Sequence, residues 1–213
     1  MNPFIRSLIV SDFLLYFSYG LLTPIFAIFI SQQIPGADIE TVGMATAIYW
    51  IVRSLTSIPL ARWMDAHEGE KDEFHFMFWG ALLMSITLMS LAWATEIWHV
   101  YLIQVLFGVF NSMAIPGWRI IFTNHIDHGK IGLQWSVWDV AVTLGTALSA
   151  YAGSVVAQEW GFHTLFLLIG GIGVFGALIL IPLYSHIDTL SQLRKLHKKM
   201  GSELLEVASL DKP

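Results

Sequence analysis

Apolar residues run along most of this chain in long, nearly unbroken stretches, with the polar residues gathered between them. Six spans stand out, at roughly 4–30, 41–64, 74–94, 98–123, 131–156 and 162–184. Each reaches or exceeds the ~20 residues that a helix needs to cross a hydrocarbon core about 30 Å thick. Lipid offers no partner to backbone N–H and C=O groups, so all six are expected to be helices and not open strands. The expected fold class is an all-α integral membrane protein with six transmembrane helices.

Inside the spans a few polar residues break the pattern at helical spacing. Asp12, Tyr16, Tyr19, Gly20 and Thr23 share one arc of the first span. Thr46, Tyr49, Trp50, Arg53 and Ser57 share one on the second. Gln104, Gly108, Asn111, Ser112, Arg119 and Thr123 form a stripe on the fourth, and Ser136, Asp139, Thr143 and Thr146 on the fifth. The interiors of spans three and six carry no charge. The simplest arrangement turns four polar stripes toward a common space and leaves spans three and six against lipid.

At 1.5 Å per residue, Asp12, Arg53, Arg119 and Asp139 all lie roughly 10–17 Å in from the same membrane boundary. Their charges sum to zero. One reading makes Asp12–Arg53 and Asp139–Arg119 static ion pairs that hold the bundle together. The other makes them part of a substrate or ion path, which intramembrane ionisable groups mark by default. Either carboxylate could carry a coupling proton, because burial favours its neutral form and a nearby arginine its charged form.

Composition supports lipid as the solvent: 55% of residues are hydrophobic and 13% charged, against about 25% charged in a soluble domain. The segments 31–40, 95–99 and 157–163 contain no Lys or Arg. Arg6, Arg62, Lys71, Lys130, Arg194, Lys195, Lys198 and Lys199 fall at the other ends of the spans. The positive-inside rule then places both termini in the cytoplasm, with the protein in the cytoplasmic (inner) membrane. The net charge of −5 does not disturb this, since acidic residues contribute little to the rule. The first span is too long for a signal peptide and lacks a small-residue cleavage site, so it reads as a retained helix. Residues 185–213 pattern as a cytoplasmic basic amphipathic tail, either lying on an anionic membrane face or solvated.

The chain has no cysteine, which excludes disulfides, thiolate catalysis and Cys-based metal sites. His125, Asp127 and His128 could hold a metal, but no further ligand converges with them in the sequence. No GxSxG elbow, HExxH or glycine-rich phosphate loop occurs, so an enzyme is not expected. Nothing calls for a cofactor, a metal or a nucleic-acid partner. Ala141, Gly145, Ser149 and Gly153 recur every four residues on the fifth span, a pattern that lets two backbones approach closely. Gly20 with Pro24, and Pro116 with Gly117, are expected bends.

Several motifs resemble those of the major facilitator superfamily over residues 4–184. FLLYFSYGLLTPIFAIFI has that family's Gly and Pro placement in the first helix. ARWMDAHEGEK resembles its signature between helices two and three: Asp65 matches, Ala61 and Ala66 depart, and Gly69 comes one position late before Lys71. QVLFGVFNSMAIP keeps Gly108 and Pro116, with Gln104 where an arginine is usual. GTALSAYAGS resembles the antiporter signature at Gly145 and Gly153, and departs at Ser149, Ala150 and Ser154. GFHTLF resembles the Gly-Trp-Arg segment, with Phe162 and His163 substituted.

The resemblance implies half of a major facilitator fold. In that family helices one and four of each half line the cavity, two and five join the halves, and three and six face lipid. Its halves are parallel repeats related by an axis along the membrane normal. Two like-oriented copies reproduce that relation, so a parallel C2 homodimer of twelve helices is expected. Gly145, Ser149 and Gly153 would then meet helix two of the partner. Asp65 would sit against the partner's fifth helix near Gln134 and Trp135, with Lys71 beside it in the gate.

The function expected is secondary active transport of a small solute by alternating access, with protons as a candidate coupling ion. Asp12, Tyr16, Tyr19, Arg53, Asn111, Arg119 and Asp139 are the expected substrate- or ion-binding groups. Two copies of Arg119 could clamp an anion and two of Asp12 could favour a cation, so the sign of the substrate stays open. The rival reading is a non-transporting membrane subunit or scaffold, or one half of a heteromeric transporter.

Overall fold

Asn2 starts the first helix: its side chain accepts from the Phe4 backbone N–H at 2.9 Å, and Pro3 occupies the first helical position. Proline suits that position because its missing N–H would have no partner there anyway. The computed structural model describes residues 1–66 and 70–187. Its elements are α1 (Pro3–Leu22), α2 (Phe26–Gln33), α3 (Ile39–Asp65), α4 (Lys71–Met89), α5 (Ile97–His125) and α6 (Ile131–Leu178). Two 3₁₀ turns, Ser90–Trp93 and Ile181–Leu183, follow α4 and α6. Among the described residues there is no strand. The tail at 188–213 and the loop residues 67–69, Gly69 included, lie outside the described residues.

The first apolar span is two helices. Helix α1 stops at Thr23, and α2 resumes after Pro24 and Ile25, where a proline N–H is missing from the ladder. Helix α3 starts on a capping box, with Asp38 accepting from the Thr41 N–H at 2.9 Å and Thr41 Oγ1 accepting from the Asp38 N–H at 3.3 Å. Pro116 is carried inside α5 without ending it. In α6 the helical geometry fails at Gly161, where φ is +79°, a conformation that glycine adopts without a Cβ clash.

Contacts along α1 show what happens at Gly161. Before it, Gly145 meets Phe13 and Gly153 meets Leu21, so this part of α6 runs parallel to α1. After it, Ile169 O accepts from Ser18 Oγ and Gly176 O from Ser11 Oγ, both at 2.7 Å, so that part runs antiparallel. The chain therefore reverses at Gly161. By the same test α5 runs antiparallel to α4, with Gly80 against Ala114 and Gly117 against Glu73. It runs parallel to α3, with Tyr49 on Phe107 and Thr56 on Ser112.

Among the described residues, four stretches are long and apolar enough to cross a membrane: Pro3–Leu22, Lys71–Trp93, Ile97–His125 and Ile131–Ile187. The last has 57 residues and includes the reversal. Helix α3 is not among them; it carries Glu40, Arg53, Arg62 and Asp65 over its 27 residues.

Helices touch through small residues. A Cβ on Gly80 would come within 2.6 Å of Ala114 N, and one on Gly153 would overlap the Leu21 carbonyl. This is how close backbone approach and serine-to-carbonyl bonds hold helices where lipid gives no hydrophobic drive to associate. The stripe expected to meet a partner is used here. Gly145, Ser149 and Gly153 are buried against α1 of the same chain, because their missing volume is what admits Phe13 and Leu21. The exposed side of α6 instead presents Leu133, Val137, Val140, Leu144, Leu148 and Tyr151.

Candidate functional site

Helices α1, α3, α5 and the first part of α6 surround a cavity of about 1050 Å³. Helix α4 closes its inner wall with Met77, Ala81 and Met84. Asp12, Tyr16, Tyr19, Arg53, Asn111 and Arg119 all line it, together with Tyr49, Trp50, Phe107, Trp118, Trp135 and Trp138. On each of these helices the lining residues recur at steps of one, three or four, so a single face per helix supplies them.

Asp139 is not brought into the lining. It is exposed, one turn before Thr143, which does line the cavity. At its level the wall is made by Trp135 and Trp138, whose rings lie 5.6 Å apart edge to face.

The ion pairs weighed from sequence are not formed. Neither Arg53 nor Arg119 has a carboxylate within 4 Å among the described residues. Asp12 instead accepts a hydrogen bond from Trp138 Nε1, 2.6 Å from its Oδ2. Asp12 is 8% exposed, and a carboxylate this buried needs a donor. Arg53 lies over the Trp50 ring, 5.0 Å from its centroid, and beside the Tyr49 hydroxyl. Tyr16 lies within electrostatic reach of Asp12, Arg53, Arg119 and Tyr49.

Trp118 Nε1 and Asn111 Oδ1 are among the buried polar atoms of the wall that have no hydrogen-bond partner. The Asn111 amide nitrogen reaches only the Met84 sulfur, at 3.3 Å, a weak acceptor. Native interiors rarely leave such groups unpaired, and here both belong to residues that line open space.

The residues expected in a gate lie at the ends of their helices. Asp65 ends α3 and Lys71 begins α4, both exposed. Gln134 is engaged within its own chain: its amide donates to Asp127 Oδ2 at 2.7 Å and accepts from the Asp127 N–H at 3.1 Å. Trp135 packs on Trp118 and Phe122. Both face their own bundle, because the chain turns tightly from α5 into α6 and brings Gln134 onto Asp127 of that turn and Trp135 onto α5.

Sequence reasoning missed Trp118 and Trp138, since an indole in an apolar helix looks like packing until the residue opposite it is known. It also missed Glu70 and Glu73, buried to 4% and 5% exposure at the start of α4. Glu70 Oε2 lies 3.6 Å from His125 Nε2, and the His125 ring stacks on Phe4 at 3.9 Å. The cue was available: two acidic residues open a helix whose next turn is Phe74 and Met77.

The family model for the Major Facilitator Superfamily matches residues 8–206. The chain belongs to the major facilitator superfamily. Among curated relatives, it is 26% identical over 172 residues to the multi-drug resistance efflux pump PmrA of Streptococcus pneumoniae. That alignment covers 80% of this chain and 42% of the pump. An uncharacterized transporter of this superfamily from Methanocaldococcus jannaschii, MJ1560, is 19% identical over 170 residues, again 80% of this chain and 42% of the relative. The proton-coupled antiporter flippase LtaA of Staphylococcus saprophyticus is 20% identical over 137 residues, 64% of this chain and 34% of the flippase. The chain thus spans less than half the length of these relatives. Members of the family are membrane transporters, and the long apolar helices accord with an integral membrane protein.

Proposed function

We propose that the chain is a secondary active carrier that moves a small solute through this cavity by alternating access. The observation that carries the reading is the cavity itself. It holds two guanidinium groups and a buried carboxylate that are not neutralising one another. Charges placed in a membrane interior without mutual pairing carry a cost of at least ~2.5 kcal/mol each, which a purely structural bundle has no reason to bear.

In this reading α1 and α2 make the first of six crossings, α3 the second, and the two parts of α6 the fifth and sixth, with both termini cytoplasmic. The bundle occupies 1–184, with a cytoplasmic tail over 185–213. A second six-helix unit of the same orientation faces the open side, and we take that unit to be a second copy of this chain. Asp139 supports a partner, because an exposed carboxylate about 12 Å into α6 needs another protein surface or water. The exposed row Leu133, Val137, Val140, Leu144, Leu148 and Tyr151 replaces the small-residue stripe as the surface expected to meet α3 of the second copy. Asp12 is the group placed to exchange a coupling proton.

The test is flux into proteoliposomes of the purified protein, across a panel of organic ions with and without a proton gradient. Uptake lost on Asp12→Asn and on Arg119→Gln is the expected result. No flux of any solute class would sink the carrier reading. The pairing is tested by crosslinking single cysteines at Leu144 and Ile58 in lipid, with no native cysteine to interfere.

A further inference from the structure

The sequence leaves the sign of the substrate open, and the geometry of the cavity decides it. We propose that the cavity takes an aromatic organic anion: a planar ring body carrying one acidic group. The proposal deepens the carrier reading, and rests on it only for the claim that the bound species is transported.

Two features point to an anion and a third to its ring body. The first is the charge of the lining, which holds Arg53, Arg119 and Asp12 but not Asp139. The lining therefore carries one net positive charge. The one acid is also the least available group, since it is 8% exposed and its Oδ2 already receives the Trp138 N–H. The second is the supply of donors. Trp118 Nε1 is nine-tenths buried and unpartnered, and an indole N–H can only donate. The Asn111 amide has one free end, and its oxygen and nitrogen can exchange places with little change of shape. With that exchange the amide N–H₂ becomes the free end and can donate to a ligand. The third is the walls. Tyr16, Trp50, Phe107, Trp118 and Trp138 offer ring faces and edges for an aromatic body, at which offset or edge contacts are favoured.

A lipophilic cation fits the same walls but meets the wrong charges. It would displace no pairing at the two arginines and would have to draw Asp12 away from Trp138. Like charge set against an incoming ligand is how a site rejects one class while accepting another.

The test uses one ring system with opposite charges: naphthalene-2-sulfonate and trimethyl(2-naphthyl)ammonium. Binding to the full chain in nanodiscs of neutral phosphatidylcholine is followed by calorimetry, with empty nanodiscs subtracted. The sulfonate should bind at least about tenfold more tightly, the scale of one hydrogen bond to a charged group. Arg119→Gln should abolish the preference and Arg119→Lys should keep most of it. Equal binding, tighter binding of the ammonium compound, or binding of neither overturns the proposal. The comparison on the unaltered protein decides even where a variant does not fold. Flux of the ammonium compound alone would leave the carrier reading standing and remove this one. Sulfonate binding without flux of any solute would do the reverse.

Discussion

Gly80 is one of the places where two helix backbones meet most closely. A Cβ there would lie 2.6 Å from Ala114 N and 2.9 Å from both Ala114 Cα and Phe110 O. Ordinary contact begins at 3.4 Å, so α4 and α5 would have to part by the difference, roughly 0.8 Å. All three obstacles are backbone atoms of α5, and none can swing aside as a side chain would. Overpacking of this kind costs about 1–3 kcal/mol, partly offset by the ~0.5–1 kcal/mol that alanine gains over glycine in a helix. Gly80→Ala should therefore lose about 1–2 kcal/mol, or a few degrees in Tm for a chain of this length, by an order-of-magnitude scaling. Gly171 is the internal control, because a Cβ there meets nothing within 4 Å; Gly171→Ala should hold or raise Tm. The assay is thermal unfolding of both variants in one detergent, followed by intrinsic fluorescence. A Gly80→Ala protein as stable as Gly171→Ala would refute the close approach of α4 and α5, and with it the placement of Met84 behind Asn111.

Other expectations follow from single contacts. Trp138→Phe removes the donor to the Asp12 carboxylate and should destabilise by about 1.5–3 kcal/mol, the scale for hydrogen bonds to charged groups. In an Asp12→Asn background the same change should cost less, and a double-mutant cycle measures the coupling. Asp38 caps α3, and the Thr41 backbone N–H and hydroxyl hold its carboxyl below the usual carboxylate range. A depressed folded value adds stability above the unfolded pKa of about 3.9 and loses it as pH falls through the folded value. Asp38→Ala should thus be less stable than the parent at neutral pH, with a gap that narrows below about pH 4 in matched melts. Gly161→Ala forces a side chain into a φ of +79° and should weaken the reversal within α6, read as lost thermal stability.

Much of this architecture was written in the sequence, because a membrane imposes one solution on a long apolar segment. All-helical structure and the polar faces of four helices could be read from spacing, and membership of the superfamily from motifs that resemble its own. What spacing cannot give is the partner of each face. Gly145, Ser149 and Gly153 announce a close neighbour without saying which, and it is α1 of the same chain. Asp12 and Arg53 share a depth and opposite charge, which suggested a pair, yet the indole of Trp138 reaches Asp12 instead. Asp139 and Thr143 share a helical face, but a cavity that opens along that face encloses one and leaves the other outside. Glu70 and Glu73 read as an ordinary helix start until α5 brings His125 to Glu70 and Gly117 to the Glu73 backbone.

The central claim is that the cavity between these helices is exposed in turn to the two sides of the membrane. A single cysteine at Thr143, on the cavity wall, tests it in sealed vesicles of known orientation. A membrane-impermeant maleimide added from either side should label it, and a transported solute should slow labelling from both. Labelling from one side only, unchanged by any solute, would contradict the account.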